Sequence, residues 1–209
     1  MSKLQAIIFA LFITSFGILS FLTNQYTSFT IDTIISQWLR KIDFPGFTSL
    51  METASALGAI IPTIITVLGI TLVLWFYGKR KEAFFIAALP SIAGLVNYLF
   101  KVLIARPRPN GGSLSFPSGH TIYAITLFGL LFYLLPRLIK QSALVLILRC
   151  LLGLIILLMG ISRIYLEAHW PSDILGSILL GGFLLTLAIT FYHDYKKDNK
   201  NESSEVANA

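Results

Sequence analysis

Six apolar segments, each close to the roughly 20 residues that a helix needs to cross a bilayer, decide what this chain can fold into. They lie at about 4–23, 54–77, 83–104, 119–135, 143–161 and 173–192. Inside lipid every backbone N–H and C=O has to be satisfied within the segment, and that leaves helices. The predicted fold class is therefore all-α, a polytopic membrane protein whose six transmembrane helices form one bundle and one domain over residues 1–193. With 56% hydrophobic and 12% charged residues and a mean hydropathy of +0.78, 209 residues are far too apolar for a soluble domain of this length. Pro62, Pro90 and the small residues within the segments fit membrane helices, whose neighbours satisfy freed backbone groups. Lys3 ahead of an apolar stretch has the look of a signal peptide, but the run is long and no small-x-small site stands near 23–27, so it reads as an anchor.

Between the first two spans, Ile31, Ile34, Ile35, Trp38 and Leu39 recur at helical spacing, while Asp32, Ser36, Arg40 and Lys41 fall largely elsewhere around the helix. The segment is too short to span. It predicts an amphipathic helix at about 31–42 lying in the outer membrane interface, with Trp38 at headgroup depth; packing on the bundle is the alternative. Residues 194–209 are polar, lack apolar periodicity and predict a disordered cytoplasmic tail. The single cysteine, Cys150, excludes an intramolecular disulfide and is expected to pack within an apolar run.

Loop charge sets the expected orientation. With the N-terminus inside, Lys3, Lys79, Arg80, Lys81, Arg137, Lys140, Lys196, Lys197 and Lys200 share the cytoplasmic side, nine of the sixteen cations. The other side receives Arg40, Lys41, Lys101, Arg106, Arg108 and Arg163, and Arg149 snorkels inward. Both termini are thus expected in the cytoplasm of a multi-pass protein of the cell membrane. The net charge of +6 is scattered over segment ends without the basic stripe of a groove binder, which argues for lipid headgroups and against nucleic acid.

Three stretches near the outer ends of the spans carry chemistry. In the first, Lys101 precedes the paired Arg106-Pro107 and Arg108-Pro109, where proline pushes the preceding residue towards extended geometry and ends the helix. Alone, these cations read equally as interfacial anchors. In the second, Pro117-Ser118-Gly119-His120 runs into the fourth span. Ser118 is placed as a helix cap, Gly119 permits close backbone approach, and free amides at a helix start bind anions. His120 then stands in the first turn, within reach of a phosphate oxygen, although a capped helix with an interfacial histidine would look the same. In the third, Ser162-Arg163 leads to His169, with Pro171 opening the sixth span and Asp173 one turn beyond. The carboxylate can then accept from one imidazole nitrogen and leave the other free as a nucleophile or base; a local polar pair is the plainer reading.

Taken together, Lys-x6-Arg-Pro, Pro-Ser-Gly-His and Ser-Arg-x5-His-x3-Asp, in this order, match without substitution and resemble the type 2 phosphatidic acid phosphatase superfamily. The resemblance implies phosphate-ester hydrolysis through a phosphohistidine, with no metal and no cofactor. On that reading His169 is the nucleophile, Asp173 orients it and His120 is the general acid. Lys101, Arg108, Ser118, Gly119 and Arg163 hold the phosphate, and Pro117 and Ser162 support them. Three cations around a doubly negative group suit a reaction that asks mainly for positioning and charge stabilisation. The implied substrate is a lipid phosphate or diphosphate taken from the membrane at the extracytoplasmic face, with phosphatidylglycerophosphate and undecaprenyl diphosphate foremost. A lipid phosphotransferase using the same phosphohistidine, or a non-catalytic lipid-phosphate binding or transport protein, are the alternatives. Nothing in the sequence points to a protein partner. His193 falls at the opposite membrane end and is excluded from the site, and the histidines and carboxylates lack the His-Glu-x-x-His spacing of a zinc site.

Overall fold

The computed structural model describes residues 3–207, with side chains through 193. Its elements are α1 (Lys3–Gln25), α2 (Thr30–Arg40), α3 (Phe47–Ala56), α4 (Ile60–Phe76), α5 (Arg80–Ile104), α6 (Gly119–Tyr123), α7 (Gly129–Leu138), α8 (Ser142–Tyr165) and α9 (Pro171–Ala207). A π-helical turn, Ala124–Phe128, joins α6 to α7 within one span. α1, α5, α6 to α7, α8 and the Pro171–His193 part of α9 are long and apolar enough to cross a membrane. These are five, and the bent pair α3 and α4, counted as one broken span, makes six.

The second span departs from the single helix expected over 54–77. Here α3 and α4 meet at 60°, broken across Leu57-Gly58-Ala59. Pro62 is the physical cause: it has no N–H for the Gly58 carbonyl, and its ring clashes with that carbonyl in a straight helix. The break leaves α3 as a separate short helix laid against α8, where Phe47 meets the Tyr165 ring edge-on at 5.0 Å and Thr48 Oγ1 lies 2.8 Å from Tyr165 Oη.

The short helix after the first span is present as α2, and Leu39 and Ile35 pack on the bundle, but its polar and apolar residues do not divide as in a soluble amphipathic helix. Asp32 and Ser36 are buried against the protein, while Ile31, Ile34 and Trp38 point away from it. That is the arrangement expected when the surrounding medium is apolar and the polar contacts are internal. Cys150, expected to be packed, is exposed on the outer surface of α8, a helix that buries only a narrow stripe. Backbone of α9 is helical to Ala207, and the expected disordered tail falls on residues whose side chains lie outside the described residues, as residues 208–209 do altogether.

The core lies where α5, α6 and α9 cross, around Ile86, Ala93, Phe116, Ile122, Leu127, Leu130 and Leu134. Gly176 admits the Phe116 ring so closely that an added Cβ would stand 2.3 Å from Cε2. Phe116 thereby locks the loop before α6 onto the first turns of α9, the two places from which the candidate site is built.

Candidate active site

His169 sits in the short connection between α8 and α9, 2% exposed, held from two directions. Its backbone N–H and that of Ala168 both donate to the Arg163 carbonyl at 3.0 Å, and Glu167 turns the chain at φ 54°. The loop therefore folds back on α8, fixing His169 relative to Arg163. On the other side, Asp173 Oδ2 lies 3.4 Å from His169 Nδ1, one turn into α9. Ser115 Oγ and the Trp170 N–H, the latter at 2.8 Å, donate to the same oxygen. With Nδ1 facing the carboxylate, Nε2 is the nitrogen left with its lone pair. Burial lowers the imidazole from its usual 6.5 to about 4, with Lys101 and Arg163 adding to the effect and the Asp173 hydrogen bond opposing it. The ring is neutral across the physiological range.

Asp173 is in turn held by a residue that sequence reasoning left among interfacial anchors. Arg106 is 1% exposed and donates from NH1 to Asp173 Oδ1 at 2.6 Å and to Ser172 Oγ at 2.8 Å. From NH2 it donates to Asp32 Oδ2 at 2.9 Å, and from Nε to the Thr27 carbonyl at 3.0 Å. Asp32 completes the frame by accepting the Ser172 N–H at 2.8 Å and Ser172 Oγ–H at 2.7 Å. One buried guanidinium thus bridges two buried carboxylates and ties α2 to the start of α9. Buried charge is tolerated only with this density of hydrogen bonds.

The phosphate-binding candidates converge on the same membrane end. His120 lies within coulombic reach of Arg163, His169, Arg108 and Lys101, so the three sequence stretches do meet. Arg108 projects from a tight loop closed by Arg108 N to Gly112 O (2.7 Å) and Gly111 N to Arg108 O (3.1 Å), with Gly111 at φ 83°. Arg163 NH1 donates to Ser55 Oγ of α3. The Nε atoms of both arginines are buried without a hydrogen-bond partner, an arrangement that suits an anion with several acceptor oxygens. Lys101 donates to the carbonyls of Leu114 (2.6 Å) and Ser115 (3.1 Å), holding the loop before α6 with part of its donor capacity.

Pro117 follows a cis peptide bond and Ser118 occupies the N-cap position of α6, but its hydroxyl makes no capping bond to the helix amides. It accepts instead from Thr121 Oγ1 at 3.1 Å, while its backbone N–H donates to Ser177 Oγ at 2.8 Å. Ser177 Oγ also donates to the Asp173 carbonyl of its own helix at 2.7 Å, so the Ser118–Ser177 bond ties the start of α6 to the turn of α9 that carries Asp173. Gly119 lies against Asn97, whose Nδ2 is 3.1 Å from where a Cβ would stand. Ser162 is buried and donates back to the Met159 carbonyl at 2.8 Å, steadying the last turn before Arg163.

Glu167, an unplaced residue of the third stretch, pairs with Arg40 of α2. His193 bonds Tyr133 at the opposite end of the bundle, away from the site. Arg106 and Asp32 were read from sequence only as an interfacial cation and part of a polar helix face, and Ser115, Ser172, Ser177 and Ser55 were given no role in the site. Asp173 and Ser177, four apart on one helix face, were the readable signal; Asp32 and Ser55 had none, since their partners are remote in the chain.

The family model described as the PAP2 superfamily matches residues 82–197. Phosphatidylglycerophosphatase B of Bacillus subtilis is 31% identical over 179 residues, spanning 79% of this chain and 85% of that protein. Undecaprenyl-diphosphatase BcrC of the same organism is 34% identical over 134 residues, 55% of this chain and 63% of that protein. Among solved structures, the transmembrane PAP2-type phosphatidylglycerolphosphate phosphatase from Bacillus subtilis superposes with a TM-score of 0.79 at 27% identity, covering 89% of this chain and 96% of that one. Aquifex aeolicus LpxE shares the fold, with a TM-score of 0.61 at 19% identity over 78% of this chain and 97% of that one.

Proposed function

From the chain's membership of the PAP2 superfamily, we propose that it hydrolyses a lipid phosphate or diphosphate through a phosphohistidine on His169. That it is a lipid phosphate phosphatase follows from the family and from relatives of that activity; the mechanism, substrate and membrane face are our reading. The observation that carries the mechanism is the His169 imidazole, buried, neutral and with Nδ1 turned to Asp173, which leaves Nε2 as the attacking atom.

In the first step Nε2 forms a bond to phosphorus as the bond from phosphorus to the leaving oxygen breaks. His120 gives that oxygen its proton, and Asp173 balances the charge that develops on the His169 ring. Water then attacks the phosphohistidine, His120 takes its proton, and inorganic phosphate departs with His169 restored. Arg108, Arg163 and Lys101, with Ser118 and the Gly119 amide, bind the non-bridging oxygens throughout; planar guanidinium groups suit two oxygens at once. No step draws on a metal. Loop charge supports a site facing away from the cytoplasm, with both termini inside. Phosphatidylglycerophosphate and undecaprenyl diphosphate are the leading substrates, since the two relatives carry those activities in their names.

The test is phosphate release by the detergent-purified protein from a panel of lipid phosphates and diphosphates, with and without chelator. Release that survives chelator and yields an acid-labile phosphoenzyme is expected. Loss of activity on chelation would overturn the metal-free mechanism, and acceptor-dependent product without free phosphate would make the protein a phosphotransferase.

A further inference from the structure

We infer that the break in the second span is a wall that orients His120, and that Gly58 is glycine to let the imidazole stand against the backbone. The inference rests on the reading of His120 as general acid given above. An ideal Cβ on Gly58 would lie 2.5 Å from His120 Cδ2, 2.9 Å from its Cγ and 2.7 Å from Met159 Cε. Real Cβ atoms essentially never stand within 3.0 Å of such neighbours, so a side chain here would force a shift: cheaply for the Met159 methyl end, and for His120 only by moving the ring itself. Gly58 does not adopt a positive φ, so its backbone conformation is open to alanine. Space, and not backbone freedom, reserves the position for glycine.

The two histidines need such different supports because of what surrounds them. His169 is held by Asp173 and, at 3.5 Å, by Ser115. Among the described residues no hydrogen bond orients the His120 ring, and χ2 of histidine is a broad torsion. Close contact therefore sets its direction, and the contact comes from Gly58. The wall itself is firm. Met51 of α3 is fully buried, Thr48 and Phe47 meet Tyr165, and Ser55, one turn before Gly58, takes the Arg163 hydrogen bond. Pro62 sets the bend that turns Leu57-Gly58-Ala59 towards α6. A segment with no family signature is thus joined to both the proposed acid and a proposed phosphate-binding arginine. Gly58 is a positioning residue: it acts through His120.

The experiment compares two substrates on each variant: a lipid alkyl phosphate, whose alkoxide needs a proton to leave, and a lipid-soluble aryl phosphate, whose phenolate does not. Gly58→Ala is expected to lower kcat/KM, which reports phosphoryl transfer to His169 and not the later hydrolysis that both esters share, by about 10- to 100-fold on the alkyl ester, the scale of a displacement approaching 1 Å, and by less than about threefold on the aryl ester. A partly unfolded preparation loses both activities in proportion, so the ratio separates positioning from folding. Met159→Ala, which opens the other side of the same point without a clash, is expected to shift the ratio in the same direction by a few fold. It serves should Gly58→Ala not fold. Equal loss on both esters in these variants, or none, would overturn the inference provided His120→Ala is itself selective for the alkyl ester. Equal loss on both esters in His120→Ala would instead overturn the acid assignment, and this inference with it.

Discussion

Both ends of the bundle gather cations and aromatic rings, yet they hold their cations in opposite ways. At the end that carries His193, Lys81 donates to the Tyr192 carbonyl at 3.0 Å and lies 4.5 Å from the Tyr192 ring. Arg137 donates to Tyr133 O and Oη at 3.0 and 2.9 Å and lies over that ring at 4.2 Å, while Tyr192 Oη donates to Glu82 at 2.7 Å. These groups find partners within the protein and close the ends of α5, α7 and α9. At the end that carries His169, Arg108 and Arg163 are fixed in place with buried Nε atoms unpaired. Composition does not separate the two ends. Arg106 and Arg40 are matched by carboxylates at this end too, so what separates the two ends is Arg108 and Arg163, whose buried Nε donors meet no acceptor supplied by the fold.

Substitutions should therefore act very unequally at the two ends, and His169→Ala should act most. Removing the proposed nucleophile is expected to cost on the order of 10⁴-fold or more in turnover, since the remaining groups bind but form no covalent intermediate. Trapping with labelled substrate and an alkaline denaturing quench, which preserves phosphohistidine, should find label on the parent and none on the variant; full activity would refute the assignment. Arg163→Ala comes next, with a fall of roughly 10²–10³ in kcat/KM, the usual loss for one transition-state donor in a dehydrated site. Phosphate-release kinetics check it, and a loss confined to stability would show Arg163 to be structural.

The second half of the chain was legible because its signals are local. Arg-Pro pairs end α5, Pro-Ser-Gly opens α6 and Pro171 opens α9, so each helix end announced itself beside the residue it positions. The six spans followed from length and apolarity alone. The first half was illegible for two physical reasons. Polarity on α2 does not say whether the polar face meets headgroups, water or protein, and Asp32 meets Arg106 at a separation of 74 residues. Proline is tolerated in membrane helices, so Pro62 gave no warning that its span breaks and delivers Gly58 to His120. Arg106 and Arg108 carry identical local signals, and only tertiary contacts assign one to Asp173 and leave the other with an unpaired Nε.

Asp32→Asn tests whether the α2 frame belongs to the chemistry or only to the fold. The change leaves Arg106 with one carboxylate instead of two, and breaking a buried pair costs about 3–5 kcal/mol. A drop in unfolding temperature and roughly tenfold slower turnover are expected, measured by thermal unfolding in detergent and phosphate release on the same sample. Slower turnover should come with a kcat effect larger than the KM effect, since Asp32 acts through Asp173 and not on the substrate. The His169 titration sharpens the same point. Burial holds its pKa at about 4, so the ring stays neutral as pH falls from 7 and takes up a proton only near 4. Selective ¹⁵N-histidine labelling should show that signal in its neutral form at pH 5.5; protonation near 6.5 would mean the site is wetter than its packing.

Arg137→Ala at the opposite end should have the smallest effect of all. It removes two hydrogen bonds to Tyr133 and a cation held over an aromatic ring, on an exposed side chain where such contacts contribute about 0.5–1 kcal/mol. That predicts turnover within about twofold of the parent and an unfolding temperature lower by about 2–4 °C. The test has force because α9 is continuous from Asp173 to Tyr192 and touches both clusters. If loosening Tyr133 and Tyr192 slowed phosphate release tenfold, the helix would be transmitting strain from one membrane end to the other, and matched donors at the His193 end would belong to the function as well. A twofold limit keeps the division where the unpaired arginine nitrogens put it.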